Sequence, residues 1–154
     1  MREPQLCSIR RTDGPMTTDP VAAALSNEVG RIEGVTHIVD PADPRLDDYR
    51  DLNSIAVRVE MERDEFFMGE GYVPIDRMLD SGHRMRSVLL HPKRLNRFVP
   101  TMSRPEMAGV PVFVAEQAVL TEVVGFNMYR CCLASAFRAP MPTVAELASR
   151  CRRL

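Results

Sequence analysis

Residues 86–99 read RSVLLHPKRLNRFV, and the change of period halfway along decides the fold. Val88, Leu89 and Leu90 form a continuous apolar run, the pattern of a strand covered on both faces, as in a parallel sheet flanked by helices. Pro92 fits the first turn of a helix, where its missing N–H is no loss. PKRLNRFV is therefore predicted to be a helix opened by Pro92. A buried strand followed at once by a helix is the repeating unit of an α/β sandwich.

The same alternation extends outward in both directions. Upstream, YVPIDRMLDSG (72–82) predicts a helix with Val73, Ile75, Met78 and Leu79 near one face, Pro74 confined to the first turn and Gly82 closing it. FFMGEG (66–71) reads as a short strand entered through a charged loop, RVEMERDE (58–65). DPADPRLDDYRDL (40–52) carries helix-start marks, with Asp43 as N-cap, Pro44 first, and Leu46, Tyr49 and Leu52 on one face. VTHIVD (35–40) alternates like a strand. Downstream, VPVFV (110–114) is a strand. EQAVLTEVVG (116–125) is a helix presenting Ala118, Val119 and Val123 and closed by Gly125. Leu133–Phe137 is a last strand, and PTVAELASRCRRL (142–154) a last helix with Val144, Leu147 and Cys151 in phase. Residues 1–34, rich in proline and glycine without sustained periodicity, read as a disordered extension. The expected division is 1–34 extension, 35–139 globular domain and 140–154 linker helix.

At 154 residues, 45% hydrophobic and 27% charged, the chain has the composition of one compact globular domain with a tail. No apolar run approaches the roughly 18–20 residues of a membrane helix, and no secretory signal opens the chain, so no membrane partner and a cytoplasmic location are expected. Cys7, Cys131, Cys132 and Cys151 form no CxxC pair and read as reduced thiols, with no metal expected. His37, His83 and His91 lack a nucleophile or carboxylate at a catalytic spacing and read as surface histidines. Asp40, Asp43, Asp47 and Asp48 are explained by helix capping. No phosphate loop or nucleophile elbow occurs. No catalytic and no cofactor-binding residues are assigned.

Net charge is −1, but its distribution is uneven. From His83 to Pro105 there is no acid, while Arg84, Arg86, Lys93, Arg94, Arg97 and Arg104 all fall there. The stretch admits two readings: a surface for a polyanion, or a solvated face onto which Asp76, Asp80 and Glu106 fold back.

Three blocks, DPADPRLDDYRDLNSIAVR (40–58), FFMGEGYVPIDRMLDSGHRMRSVLLHPKRL (66–95) and VPVFVAEQAVLTEVVGFNMYRCCLAS (110–135), resemble in order and spacing the opening domain of actinobacterial SpoU/TrmH-family RNA methyltransferases. The resemblance implies a three-layer α/β sandwich, a mainly parallel sheet flanked by helices, similar to the ribosomal proteins that hold kink-turn RNA. It implies docking of ribosomal or transfer RNA, followed in full-length relatives by a knotted domain that binds S-adenosylmethionine, methylates a ribose 2′-hydroxyl and dimerises. Pro74 and Cys131–Cys132 depart from the family pattern. The donor-binding motifs have no counterpart in these residues, so this chain alone is expected to be a catalytically inactive monomer without S-adenosylmethionine, truncated before the catalytic half. Arginine's planar fork suits phosphates and stacks on bases. The expected RNA contacts are Arg84, Arg86, Lys93, Arg94 and Arg97, with Arg58 and Arg63 in the loop before FFMGEG. The rival readings are a protein-interaction module that has lost its RNA role, or a decayed gene fragment.

Overall fold

A computed structural model describes residues 33–62, 65–128, 132–140 and 142–150. In chain order it contains β1 (Val35–His37), a 3-10 turn (Pro44–Tyr49), α1 (Ile55–Glu62), β2 (Phe66–Glu70), α2 (Tyr72–Asp80), β3 (Met85–Leu90), a second 3-10 turn (Pro92–Arg94), α3 (Leu95–Met102), a third (Pro105–Met107), β4 (Val112–Val114), α4 (Gln117–Val124), β5 (Cys132–Phe137) and α5 (Val144–Arg150). The sheet order is β1-β4-β3-β5-β2. β1 and β3 pair parallel with β4, whereas β5 runs antiparallel between β3 and β2. Four strands therefore point one way and β5 opposes them, which makes the sheet mainly parallel.

Alternation along the strands divides the core between the two faces. Val88, Leu90, Val112, Val114 and Ala134 pack under Ile75, Met78 and Leu79 of α2 and Leu95 and Phe98 of α3. Leu89, Phe113 and Leu133 face the other way, onto Leu46 and Tyr49 and onto Leu120, Val123 and Val124 of α4. Leu89 lies opposite both Phe113 and Leu133, so one apolar row crosses the centre of the sheet. The result is the three-layer α/β sandwich.

The local marks hold at several ends. Asp43 accepts the N–H of Arg45 at 2.9 Å and caps the first 3-10 turn, with Pro44 next. Gly125 closes α4 at φ +82°, its carbonyl accepting from Asn53 Nδ2 at 3.1 Å. Thr143 and Glu146 form a reciprocal cap on α5, the Thr143 N–H reaching Glu146 Oε2 at 2.7 Å and the Glu146 N–H reaching Thr143 Oγ1 at 3.2 Å.

Other expectations need correction. The charged loop expected at 58–65 is a helix as far as Glu62. Arg, Glu and Met are good helix formers, no glycine or proline interrupts them, and the Arg58 N–H already bonds the Ser54 carbonyl at 3.0 Å. Val73 is 68% exposed rather than packed, because it precedes Ile75 by two residues and so points about 200° away from the buried Ile75–Met78–Leu79 stripe. The buried stripe of α4 is Leu120, Val123 and Val124, and Ala118 faces solvent. His91 is buried, not on the surface. Cys132 is buried and in no disulfide, whereas Cys7, Cys131, Cys151 and nearly all of the expected 1–34 extension lie outside the described residues.

The register of β3 against β5 shifts between Met85 and Ser87, leaving Arg86 as the extra residue of a bulge. A bulge re-aims the side chain it carries. Here it delivers Arg86 to Asp48, with Nε on Oδ2 at 2.8 Å and Nη2 on Oδ1 at 3.0 Å. Asp48 Oδ2 also accepts the Ser135 hydroxyl at 2.7 Å, and the chain continues through Ser87 Oγ (3.2 Å) to the buried Tyr49 hydroxyl (2.7 Å). Burial pushes the Tyr49 phenol well above its usual range, so it stays protonated.

Candidate nucleic-acid interface

In open α/β sheets, ligands meet the carboxyl ends of the parallel strands, where loops and helix starts converge. Here the end of β2 runs through Glu70 and Gly71 into α2. Gly71 adopts φ +94°, a conformation that disfavours other residues, and it turns the chain sharply so that Tyr72 opens the helix. The end of β3 runs through His91 into the Pro92–Arg94 turn and α3. His91 Nδ1 accepts the Lys93 N–H at 3.1 Å, which caps that turn, and Nε2 lies 3.5 Å from Glu116 Oε2. Burial lowers the His91 pKa, Glu116 works against this, and Lys93 and Arg94 reinforce it. The imidazole is therefore neutral, as its acceptor role at Nδ1 requires.

Between these two strand ends lies a groove of about 390 Å³ lined by Glu70, Tyr72, Val73, Arg94 and Arg97. The Arg97 guanidinium sits 4.4 Å above the Tyr72 ring. The Tyr72 hydroxyl donates to the Arg94 carbonyl at 3.3 Å, tying α2 to the start of α3. Lys93, Arg94 and Arg97 are exposed, and among the described residues none of them has a carboxylate partner. Two arginines in no ion pair among the described residues, one of them stacked on a tyrosine, outnumber the single Glu70 carboxylate in this groove and suit an anionic, ring-bearing polymer: phosphates for the charges and bases for the planar groups.

The acid-free stretch does not form one patch. Arg84 and Arg86 sit at the N-terminal end of β3, opposite Lys93, Arg94 and Arg97. Six strand residues at ~3.3 Å each separate the two groups by roughly 20 Å. Acids from elsewhere return to part of the stretch: Asp48 to Arg86, and Asp80 (3.0 Å) and Glu106 (3.2 Å) to Arg104. Asp76 instead accepts the Thr101 hydroxyl. Arg58 lies exposed on α1 and not in a loop, and Arg63 lies outside the described residues. Tyr72 was missed by sequence reasoning; its only local signal is an aromatic side chain directly after the strand-ending Glu70–Gly71. Among the described residues no group of three or more metal-ligating side chains converges, and no helix is long and apolar enough to cross a membrane.

Over 121 residues, 77% of its length, the chain is 36% identical to uncharacterized tRNA/rRNA methyltransferases of Mycobacterium tuberculosis and Mycobacterium bovis. This chain resembles part of a tRNA/rRNA methyltransferase. It spans 40% of the length of those relatives. The fold is shared with a solved AdoMet-bound rRNA methyltransferase from Sinorhizobium meliloti, with a TM-score of 0.51 at 16% identity over 71% of this chain and 39% of that one. No family model matches the chain.

Proposed function

We propose that this chain is the RNA-docking part of a SpoU/TrmH-type ribose 2′-O-methyltransferase, acting on ribosomal or transfer RNA in the cytoplasm. The observation that carries the reading is the groove at the ends of β2 and β3, where Arg94 and Arg97, neither in an ion pair among the described residues, stand beside Tyr72 with Glu70 on the same wall and Lys93 next to Arg94 in the chain. Lys93 and Arg94 engage phosphates. Arg97, held flat by Tyr72, offers its open face to a base or its edge to a phosphate. The region that matches its relatives acts in this reading as a monomeric RNA-docking unit. Fluorescence anisotropy with ribosomal RNA fragments tests the reading: binding at low salt that falls when Arg94 and Arg97 are changed to glutamate supports it.

The exposed Ile55 (78%) and Val59 (66%), one turn apart on α1, favour a second reading, a module that docks another protein. Absence of RNA binding at low salt, together with capture of a partner that Val59→Glu abolishes, selects it.

A further inference from the structure

Across the sheet from the Tyr72 groove, a larger cavity of about 670 Å³ is lined by Arg45, Arg84, Arg86, Gly109, Pro111 and Phe137, among others. Its arginines are held in place. The Arg84 guanidinium lies 4.0 Å from the Phe137 ring centre. Arg86 lies 4.9 Å from the same ring and 4.7 Å from that of Phe66, so cations and rings alternate along this edge of the sheet. Arg86 turns Nε and Nη2 to Asp48, and Arg45 turns Nε and Nη2 to Asp43 at 2.9 and 2.6 Å. Among the described residues this leaves Nη1 of both without a partner, and Arg84 without any carboxylate. The acids that line the cavity are already engaged, Asp48 by Arg86 and Glu106 by Arg104. The unbalanced charge at the cavity is therefore Arg84.

A guanidinium that is planar, weakly hydrated and backed by an aromatic ring is a ready platform for a nucleobase. The two Nη1 edges beside it suit a phosphate oxygen. A cavity of this size lies within the ordinary range for a small ligand. We infer that the cavity receives one unpaired nucleotide of the bound RNA, its base stacked on Arg84 and its phosphate at Arg45 and Arg86. This rests on the RNA-docking reading and extends it to a second site, roughly 20 Å from the first along β3. A single strand of a few nucleotides spans that distance.

Titration of a labelled single-stranded oligoadenylate at low salt into the wild type, Arg84→Ala, Arg84→Lys and Arg97→Ala tests the inference. Arg84 is exposed, so its replacement leaves the fold intact, as the far-ultraviolet spectrum would verify. The expected result is about a tenfold loss for Arg84→Ala, the scale of one base stacked on a side chain. Arg84→Lys recovers little of this, because it keeps the charge and loses the plane. Full recovery by lysine, or unchanged affinity in Arg84→Ala while Arg97→Ala weakens binding, overturns the nucleotide site and leaves RNA docking standing. No binding by any form, the wild type included, overturns both.

Discussion

Asp48 grips one edge of the Arg86 guanidinium with both carboxylate oxygens while accepting the Ser135 hydroxyl at 2.7 Å, joining the first 3-10 turn to β3 and β5 through one carboxylate. The pair is mostly buried, with 18% of the Asp48 side chain and 27% of the Arg86 side chain exposed. Removing the acid strands a partly buried cation and takes from the buried Ser135 hydroxyl its charged acceptor, leaving it Ser87 Oγ alone. Asp48→Ala is therefore expected to destabilise the fold by about 2–4 kcal/mol in urea unfolding. A loss below about 0.5 kcal/mol, the scale of ordinary surface changes, would show that the network is ornamental.

Gly69 marks a close approach of helix to sheet. A Cβ there would run into Met78 Sδ, so the Met78 side chain of α2 rests directly on the β2 backbone. Gly69→Ala is expected to lower stability by about 1–3 kcal/mol through overpacking. Combining it with Met78→Ala recovers part of that loss if the clash is the cause, and a double-mutant cycle in denaturant reads the coupling.

His91 gives the fold a pH dependence of defined sign. Its folded pKa lies below the ordinary 6.5, chiefly through burial. The unfolded chain thus binds the proton more readily, so this contribution is complete above pH 6.5 and is lost as pH falls through the folded value. His91→Asn can keep the cap on the Lys93 N–H, since asparagine also accepts from the residue two on, while removing the titration. The expected outcome is a shallower decline in unfolding free energy below pH 6.5 for the variant than for the wild type. Equal slopes would assign the acid sensitivity to other groups.

The layers of the fold were legible because each carries a local signal. Val88–Leu90 shows its burial on both faces, and Asp43–Pro44 and Gly125 mark element ends by their own backbone chemistry. Long-range pairing carries no such signal. Arg86 and Asp48 lie 38 residues apart, and nothing around Arg86 announces the bulge that joins them. For the same reason one run of positive charge in the sequence became two clusters at opposite ends of β3. A strand between charged segments carries them apart, and only the topology reveals where each arrives. Tyr72 and Arg97 likewise meet only because α2 and α3 cover the same face of the sheet.

The salt dependence of RNA affinity tests docking at the Tyr72 groove most directly. Each phosphate contact to a single strand contributes about −0.7 to the slope of log affinity against log salt, so contacts by Lys93, Arg94 and Arg97 predict a slope of about −2 from this groove. Changing Arg94 and Arg97 together to glutamate should weaken binding and flatten the slope by more than one unit, roughly two contacts' worth, with the fold unchanged because both side chains are exposed. Arg152→Glu with Arg153→Glu, an equal change of charge in the tail, should leave the slope near the wild-type value. A wild-type slope in the Arg94/Arg97 variant with a flattened one in the tail variant would contradict docking at this groove.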